Sequence, residues 1–347
     1  MTVSRNTIKK AIFLSFIIAT LTGCNDADKD GIIRLDLTKS LSSDIPAAET
    51  LVSALSEVSF TKVTDIMLGN PSFFYADDQK YGIYDDTRIL FINADTGEVL
   101  SEFDRSGRGP QEYVRATKVS FQNSTVCISD WSTRRAQFYT MDGEYLNTKD
   151  LPETSDYSFF STDGSALIYP NYTGKRFDLF RGEEKVNEFV CEGDITGNPI
   201  SSIGTISKFN DEHFFCTLLT DTLYRVTYDN VEPYLFMDKG QYTLPHDSRG
   251  KLDAGDGCIT EDYIKIAGNF GFVSFHYRLP QREIWDIDNR EIIFKTTFSE
   301  NNLDPGIPVI YKDTEIEFWP IYCSGHYLYD IYPDEDSTVI VRIKVQS

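Results

Sequence analysis

The sequence predicts an all-β fold built from a repeated hairpin unit, and three observations support this prediction. The text Arg-x-x-Phe occurs at Arg88 and again at Arg135, and each copy leads into a turn, at Gly97 and Gly143. Asp-Gly and Asp-Asn pairs between alternating apolar runs are hairpin signals, because these residues tolerate the positive φ of tight turns. The turns fall near positions 97, 143, 182, 230 and 289. Their spacing of about 40 to 60 residues brackets the repeat length of propeller blades.

Each repeat is interpreted as a blade of four strands whose first strand lies nearest the axis. The strands of the first blade are expected near Phe73, Tyr81, Ile89 and Val99. The next four blades are expected over residues 117–151, 157–193, 205–240 and 260–300, after a first blade over 66–105. The segment 240–257 is rich in Gly, Asp and Pro and is interpreted as a loop insertion. Helical periodicity is confined to a short helix predicted near Ala47 to Leu55.

The last blade shows only three strands of its own, near Phe318, Tyr327 and Val339 to Val345. We expect the N-terminal strand Val58 to Val63 to supply the missing outer strand, because an unpaired strand would leave an open sheet edge. Closure of this kind joins both ends of a propeller. The sequence therefore predicts a six-bladed β-propeller over residues 32–347, closed by pairing of the N- and C-terminal strands.

Residues 1–23 have the three parts of a lipoprotein signal peptide. Basic residues precede an apolar run from Ala11 to Leu21, and Leu21-Thr22-Gly23-Cys24 reads as a lipobox. A transmembrane anchor needs about 20 apolar residues, and this run is about half that length. We therefore expect cleavage before Cys24 and lipidation of its thiol.

Residues 24–31 form an acidic tether after the lipid site. Asp26, Asp28 and Asp30, followed by Gly31, imitate the opening of an EF-hand loop, but the twelfth position is Leu37 instead of a bidentate carboxylate. A solvated tether is the favoured interpretation and a calcium loop the alternative. Acidic residues at this place also resemble the surface-export signal of lipoproteins from the Bacteroides group. That resemblance implies an outer membrane lipoprotein at the cell surface, with the periplasmic face as the alternative.

The charge of the chain limits its partners. The sequence has 33 Lys and Arg against 54 Asp and Glu, a net charge of −21. Such a surface repels phosphate backbones and anionic head groups, so nucleic acid is not expected as a partner and the membrane is reached through the lipid alone. We expect a monomer. The 41% hydrophobic and 14% aromatic content suffices for a folded core.

The loop Ser106-Gly107-Arg108-Gly109-Pro110-Gln111-Glu112-Tyr113 follows the first blade. It resembles the interblade signature of the six-bladed β-propeller lipoproteins of the Bacteroides group, which are themselves similar to NHL-repeat propellers. The resemblance is sharpest over 81–151, and it implies that the loop joins the outer strand of one blade to the inner strand of the next. Gly107 and Gly109 are expected to supply permissive backbone, and Pro110 to stiffen the exit.

Two side chains are candidate ligand contacts. Arg108 in the interblade loop is a candidate cation, with bracing of the loop as the alternative. Trp131 follows a strand end at Asp130 and is a candidate for stacking on a sugar ring, with packing between blades as the alternative. Trp285 and Trp319 lie in strand-like runs and are interpreted as core residues.

No local catalytic motif accompanies this fold. The histidines His213, His246, His276 and His326 form no metal-binding text, and neither a Cys-x-x-Cys pair nor a Gly-x-Ser-x-Gly elbow occurs. Cys127 and Cys216 lie in apolar runs and are interpreted as core residues. The sequence therefore favours a non-catalytic binding or scaffolding module for a protein or a glycan, with no cofactor and no metal. The alternative is a metal-dependent propeller hydrolase or lactonase with its site at the central channel.

Overall fold

A computed structural model describes residues 31–41, 55–64, 66–151, 155–159, 165–170, 176–181, 184–190, 205–209, 212–216, 221–227, 230–245 and 257–345. The signal peptide, Cys24, the tether up to Asp30 and His246 lie outside these residues, as do residues 47–54 of the helix expected near Ala47 to Leu55; Leu55 itself begins a strand. Within them, no helix is long and apolar enough to cross a membrane.

The described residues form antiparallel sheets of the kind that build propeller blades. Two N-terminal strands come first, β1 (Ile33–Asp36) and β2 (Leu55–Lys62), with a 3-10 helix (Leu37–Leu41) directly after β1. The first sheet contains β3 (Pro71–Ala76), β4 (Lys80–Asp85), β5 (Arg88–Asn93) and β6 (Val99–Asp104). The second sheet contains β7 (Lys118–Gln122), β8 (Thr125–Asp130), β9 (Arg135–Thr140) and β10 (Tyr145–Asp150). The third contains β11 (Ser155–Phe159), β12 (Ser165–Pro170), β13 (Arg176–Arg181) and β14 (Glu184–Val190).

The chain continues with the same order of strands. The fourth sheet contains β15 (Thr205–Phe209), β16 (Glu212–Cys216), β17 (Thr222–Val226) and β18 (Val231–Asp238), followed by a 3-10 helix (Gly240–Tyr242). The fifth sheet contains β19 (Thr260–Ala267), β20 (Phe270–Tyr277), β21 (Leu279–Asp286) and β22 (Glu291–Thr297). A two-stranded hairpin, β23 (Ile307–Tyr311) and β24 (Thr314–Phe318), precedes the closing sheet. The closing sheet contains β25 (Tyr322–Ser324), β26 (Tyr327–Asp334), β27 (Ser337–Val345) and β2.

This architecture is an all-β propeller with four-stranded antiparallel blades, and it corrects the expectation of equal blades. Five sheets contain four strands each, whereas the fourth sheet contains five, because β1 pairs in parallel with β18. The residues after Gly31 thus return to the sheet edge and cover it with Leu35 and Leu37, which are fully buried. Covering an edge in this way removes unpaired backbone groups from solvent.

The recurring turns of the sequence all join the third and fourth strands of a sheet. In each of the first five sheets this pair also shifts register once, as between Phe91 and Ile92 of β5. Gly97 and Gly143 have φ of +74° and +78°, the left-handed region that favours glycine. The repeat read from the sequence is therefore a repeat of one bulged hairpin.

The acidic residue before each Arg-x-x-Phe copy anchors the chain that enters the blade. Oδ1 of Asp85 accepts hydrogen bonds from the backbone N–H groups of Gly69 at 2.9 Å and Asn70 at 2.7 Å, and Arg88 lies 2.5 Å from Oδ2 of the same carboxylate. In the second sheet, Asp130 accepts the N–H of Val114 at 2.7 Å. The acidic residue before the repeated motif therefore fixes the preceding loop to the sheet.

The last blade begins later than the sequence suggests. Phe318 was expected on its first strand, but Phe318 ends the separate hairpin β23–β24, and the inner strand is the short β25. Phe318 and Trp319 are buried in the cluster that joins the fifth sheet to the closing sheet, so the hairpin acts as packing between blades. At the outer edge, β2 pairs antiparallel with β27 in a register that places Val58 opposite Ile343. This register joins the two terminal segments named from the sequence.

Glu283 on β21 is fully buried and should make the stability of the protein depend on pH. Burial raises the pKa of Glu283 to about 7, while hydrogen bonds from Ser40 and Trp285 and the charge of Lys295 act in the opposite direction. The native protein therefore holds a proton that the unfolded chain releases above its ordinary pKa of 4.5. The free energy of unfolding should fall as the pH rises from about 4.5 to about 7.

We expect Glu283→Gln to stabilise the protein above pH 7 by on the order of 2 kcal/mol, because the neutral amide needs no desolvated charge. The measurement is urea unfolding of the variant and the wild type at pH 4 and pH 8. Burial also raises the pKa of Asp330 to about 7, but Asp330 is present in both proteins and cancels in the comparison. A stabilisation of equal size at both pH values would contradict this account.

Candidate functional site

The inner edges of the sheets meet around one cavity, which we call the central cavity. The first strands of the sheets line it, namely β3, β7, β11, β15, β19 and β25, together with residues next to them. Its volume is about 310 Å³. Small-molecule sites have volumes of roughly 300–1,000 Å³, so the cavity fits a ligand of one or two rings.

One part of the cavity wall is aromatic. Tyr75 and Phe121 lie edge to face with ring centroids 4.7 Å apart, and Phe73 stacks on Tyr322 at 5.7 Å. The hydroxyl of Tyr75 donates a 2.5 Å hydrogen bond to Asp77. Burial, and then this hydrogen bond, raise the pKa of Tyr75. Tyr75 is therefore a neutral wall residue at physiological pH.

The charged side chains that line the cavity are basic. Three lysines and one histidine line the cavity: Lys118, Lys208, Lys265 and His213. Among the lining residues that the structure describes, none is Asp or Glu. The chain as a whole carries 54 acidic against 33 basic residues. The lining of the central cavity is thus basic, whereas the chain as a whole is acidic.

Lys118 connects this basic wall to the interior. Burial lowers the pKa of Lys118, and the carboxylate of Asp156 on the neighbouring inner strand acts in the opposite direction. Asp156 is itself fully buried and accepts hydrogen bonds of 2.8 Å from the Thr117 hydroxyl and from the Trp131 indole N–H. The carboxylate of Asp156, at the boundary of the second and third sheets, therefore favours the charged form of Lys118, which burial disfavours.

Trp131, the sequence candidate for sugar stacking, lies at this boundary and not in the lining of the central cavity. It is half-buried, and its hydrogen bond to Asp156 ties the second sheet to the third. These contacts correspond to the alternative interpretation, packing between blades. Its role in ligand binding stays a prediction.

Arg108 is exposed at the tip of the interblade loop, away from the central cavity. The loop is braced by Glu112, whose carboxylate accepts the N–H of Gly109 at 2.7 Å. Neither Gly107 nor Gly109 has a positive φ, so the expected reason for them is wrong. A methyl group at Gly107 would lie 2.0 Å from Oε2 of Glu112, and one at Gly109 would lie 3.0 Å from the same atom. The absence of a Cβ at these positions leaves room for the Glu112 side chain to approach the backbone of the loop.

The described residues do not fit a metal site. No group of three or more His, Cys, Asp or Glu side chains that could hold an ion occurs in the part of the chain that the structure describes. His213 lines the cavity among lysines, and His276 and His326 are exposed. Lysine is not a ligand for calcium, and a zinc site needs several His, Cys or carboxylate donors. Cys127, Cys216 and Cys323 are buried.

The three cavity lysines were not among the site residues predicted from the sequence. Each lies on the first strand of a blade, at Lys118 of β7, Lys208 of β15 and Lys265 of β19. A search for charged residues on predicted first strands would have found them. Their convergence, however, depends on the closure of the ring.

Comparisons with known proteins agree with this architecture. A family model described as "Domain of unknown function (DUF4934)" matches residues 47–342. No curated protein matches the chain. A candidate exported protein from Bacteroides fragilis NCTC 9343 has a similar fold, with a TM-score of 0.62 and 14% identity over 91% of this chain and 99% of that one. A member of the DUF4221 family from Bacteroides vulgatus ATCC 8482 is similar with a TM-score of 0.51 and 11% identity, over 84% of this chain and 98% of that one. At these identities the similarity concerns the fold.

Proposed function

The chain belongs to the family of domains of unknown function DUF4934, and we propose that it is a non-catalytic binding module of the bacterial envelope. In this proposal its central cavity holds a glycan fragment. The observation that carries the proposal is the cavity itself, whose lining combines aromatic rings with lysine and serine side chains. Aromatic rings stack on the apolar faces of sugars, and a few polar groups orient a ligand.

We infer six as the number of blades, counting the five-stranded fourth sheet as one blade. Its strands β15 to β18 have the same antiparallel order as the other blades, and β1 is an addition at its edge. The six first strands all contribute to the lining of the cavity, which supports this count. The similarity of the interblade loop to NHL repeats remains part of this proposal.

Glycan binding in the cavity is tested with Phe121→Ala. Phe121 is a half-buried cavity residue, and its loss should weaken binding of glycans by about tenfold or more, measured by calorimetry with the purified residues 25–347. Phe60→Ala is the matched control, because Phe60 is a half-buried ring that contacts Tyr311 at 5.0 Å and does not line the cavity. If the wild type binds glycans and both variants bind them equally well, the ligand lies elsewhere.

The second candidate function, a metal-dependent hydrolase or lactonase, has less support, because the cavity presents lysines where such an enzyme needs carboxylates. Hydrolysis of a lactone panel that depends on added calcium or zinc would favour this candidate over the binding module.

The envelope location depends on Cys24, and we expect Cys24→Ala to abolish fatty-acid labelling of the protein. The cysteine thiol is the acylation site of the lipobox, and stable retention needs two or more acyl chains. The measurement is metabolic labelling with radioactive palmitate followed by membrane fractionation. A variant that still carries label and sediments with membranes would contradict the interpretation of residues 1–23 as a lipoprotein signal. The exported character of the similar B. fragilis protein is consistent with this location.

A further inference from the structure

We propose that the central cavity is selective for anionic ligands, namely small molecules that carry a carboxylate, sulfate or phosphate group on a ring or another apolar face. This inference rests on the proposed function, because it takes the cavity as the place where the ligand sits. It goes further by assigning the charge of the ligand.

The lining of the central cavity brings together basic side chains from different sheets. Lys118, Lys208 and Lys265 come from the second, the fourth and the fifth sheet, and all three line one cavity of about 310 Å³. The attraction between an ammonium group and an anion is stronger in a partly buried cavity than at an open surface, because water screens it less. An uncharged ligand gains no such attraction.

The charge of the cavity lining contrasts with the charge of the rest of the molecule. The net charge of the chain is −21, so lysines without lining carboxylates are an exception in this sequence. Two carboxylates act on lining residues: Asp156 acts on the charge of Lys118, and Asp77 accepts a hydrogen bond from the hydroxyl of Tyr75. Neither Asp156 nor Asp77 lines the cavity. Among the described residues, the charged side chains of the lining are thus all basic.

The aromatic side chains of the lining bear on the shape of the ligand. Tyr75, Phe121 and Tyr322 are among them, and a cyclic ligand can contact their rings. A Lys80 ammonium lies 5.6 Å from the centroid of the Phe121 ring and adds positive charge beside this face. The acidic outer surface repels long polyanions such as nucleic acids. A small anion with a ring therefore fits the cavity better than a polymer.

The test is isothermal titration calorimetry of residues 25–347 with D-glucuronate, glucose 6-phosphate and phenyl sulfate, each compared with its uncharged counterpart, D-glucose or phenol. We expect at least one anion to bind about tenfold more tightly than its counterpart, and the preference to shrink as salt is raised. The three anions distinguish a carboxylate, a phosphate and a sulfate as the recognised group. If no anion binds below about 10 mM, or if anions and uncharged counterparts bind equally, the anion proposal is overturned.

Lys118→Met and Lys265→Met keep most of the side-chain volume and remove the charge. Each should weaken anion binding about tenfold and leave binding of the uncharged counterpart unchanged. Lys312→Met is the control, because Lys312 is exposed on the turn between β23 and β24. Circular dichroism establishes that the variants are folded, and if folded Lys118→Met and Lys265→Met proteins bind the anion as the wild type does, the proposal is wrong.

The two proposals fail in different ways. If uncharged sugars bind as well as anions and Phe121→Ala weakens both, the cavity is the ligand site but does not select charge. If an anion binds and neither Phe121→Ala nor the lysine variants change its affinity, the central cavity is not the ligand site, and the proposed function is overturned as well.

Discussion

Deletion of residues 339–347 is expected to unfold the whole domain and not merely one strand. The deletion removes most of β27, which pairs with β26 on one side and with β2 on the other. Without β27 the N-terminal strand loses its only sheet partner among the described strands. The closing sheet is then reduced to a hairpin, and the ring opens.

The size of this effect follows from burial. Val339, Ile340, Val341, Ile343 and Val345 are at most 2% exposed. Val341, Ile343 and Val345 pack in a cluster with residues of the fifth sheet, and Ile340 packs in a cluster with residues of the first sheet. Full burial of one such side chain contributes about 1.5–3 kcal/mol, so the five together contribute roughly 7–15 kcal/mol. That sum is comparable with the total stability of a typical domain, about 5–15 kcal/mol.

The measurement is thermal unfolding followed by circular dichroism and by limited proteolysis. The deletion variant should show no cooperative transition, and protease should cut within all sheets. Deletion of residues 25–30 is the control and should leave the transition unchanged, because a charged tether buries no apolar surface. A deletion variant that keeps a cooperative transition and protected first and second sheets would show that blades fold independently of closure.

Gly97→Ala is expected to reduce the free energy of unfolding by about 3 kcal/mol or more, the second largest effect among these predictions. Gly97 has a φ of +74°, and a methyl group on it would lie 1.8 Å from the carbonyl oxygen of Lys62. The carbonyl oxygen of Gly97 also accepts the backbone N–H of Thr64 at 3.0 Å. The turn of the first sheet thus contacts the end of β2, at the point where the chain leaves the closing sheet and enters the first sheet.

Gly257→Ala separates the two causes of this effect, the positive φ and the close contact with Lys62. Gly257 has nearly the same backbone angle, with a φ of +78°, but among the described residues beyond its chain neighbours no atom lies within 4 Å of the position of a methyl group. The control should therefore lose only about 1 kcal/mol, the cost of a left-handed alanine. Urea unfolding of both variants measures the difference. Equal losses would mean that backbone angle, and not the contact with β2, determines the requirement for glycine at position 97.

The hairpin repeat could be predicted because its causes are local. A turn that needs positive φ selects glycine, as at Gly97 and Gly143, and the strands beside it alternate because one face is buried. The terminal pairing could be predicted because an incomplete blade leaves an edge that must be covered. The role of Gly107 could not be predicted, because it depends on where the Glu112 side chain folds back.

The residues of the candidate site also divide into those that the sequence suggests and those that only the structure shows. Trp131 and Arg108 were chosen because aromatic and basic residues in loops are conspicuous in a sequence. In the structure Trp131 binds Asp156 of the next blade, and Arg108 is exposed on a loop that Glu112 braces. The residues of the central cavity lie on inner strands, such as Lys118 in Lys-Val-Ser-Phe-Gln. No motif in such a strand sequence indicates that a residue lines a cavity.

The sequence by itself determined the repeat, the strand class, the acidic charge and the terminal segments that meet, because each of these depends on neighbours along the chain or on totals over it. The tertiary structure alone decided that β1 borders the fourth sheet, that β23 and β24 form a separate hairpin, and that Lys118, Lys208 and Lys265 share one cavity. These three outcomes bring together residues far apart in sequence. Their distances are fixed only when the sheets pack around a common axis, and no local pattern encodes that packing.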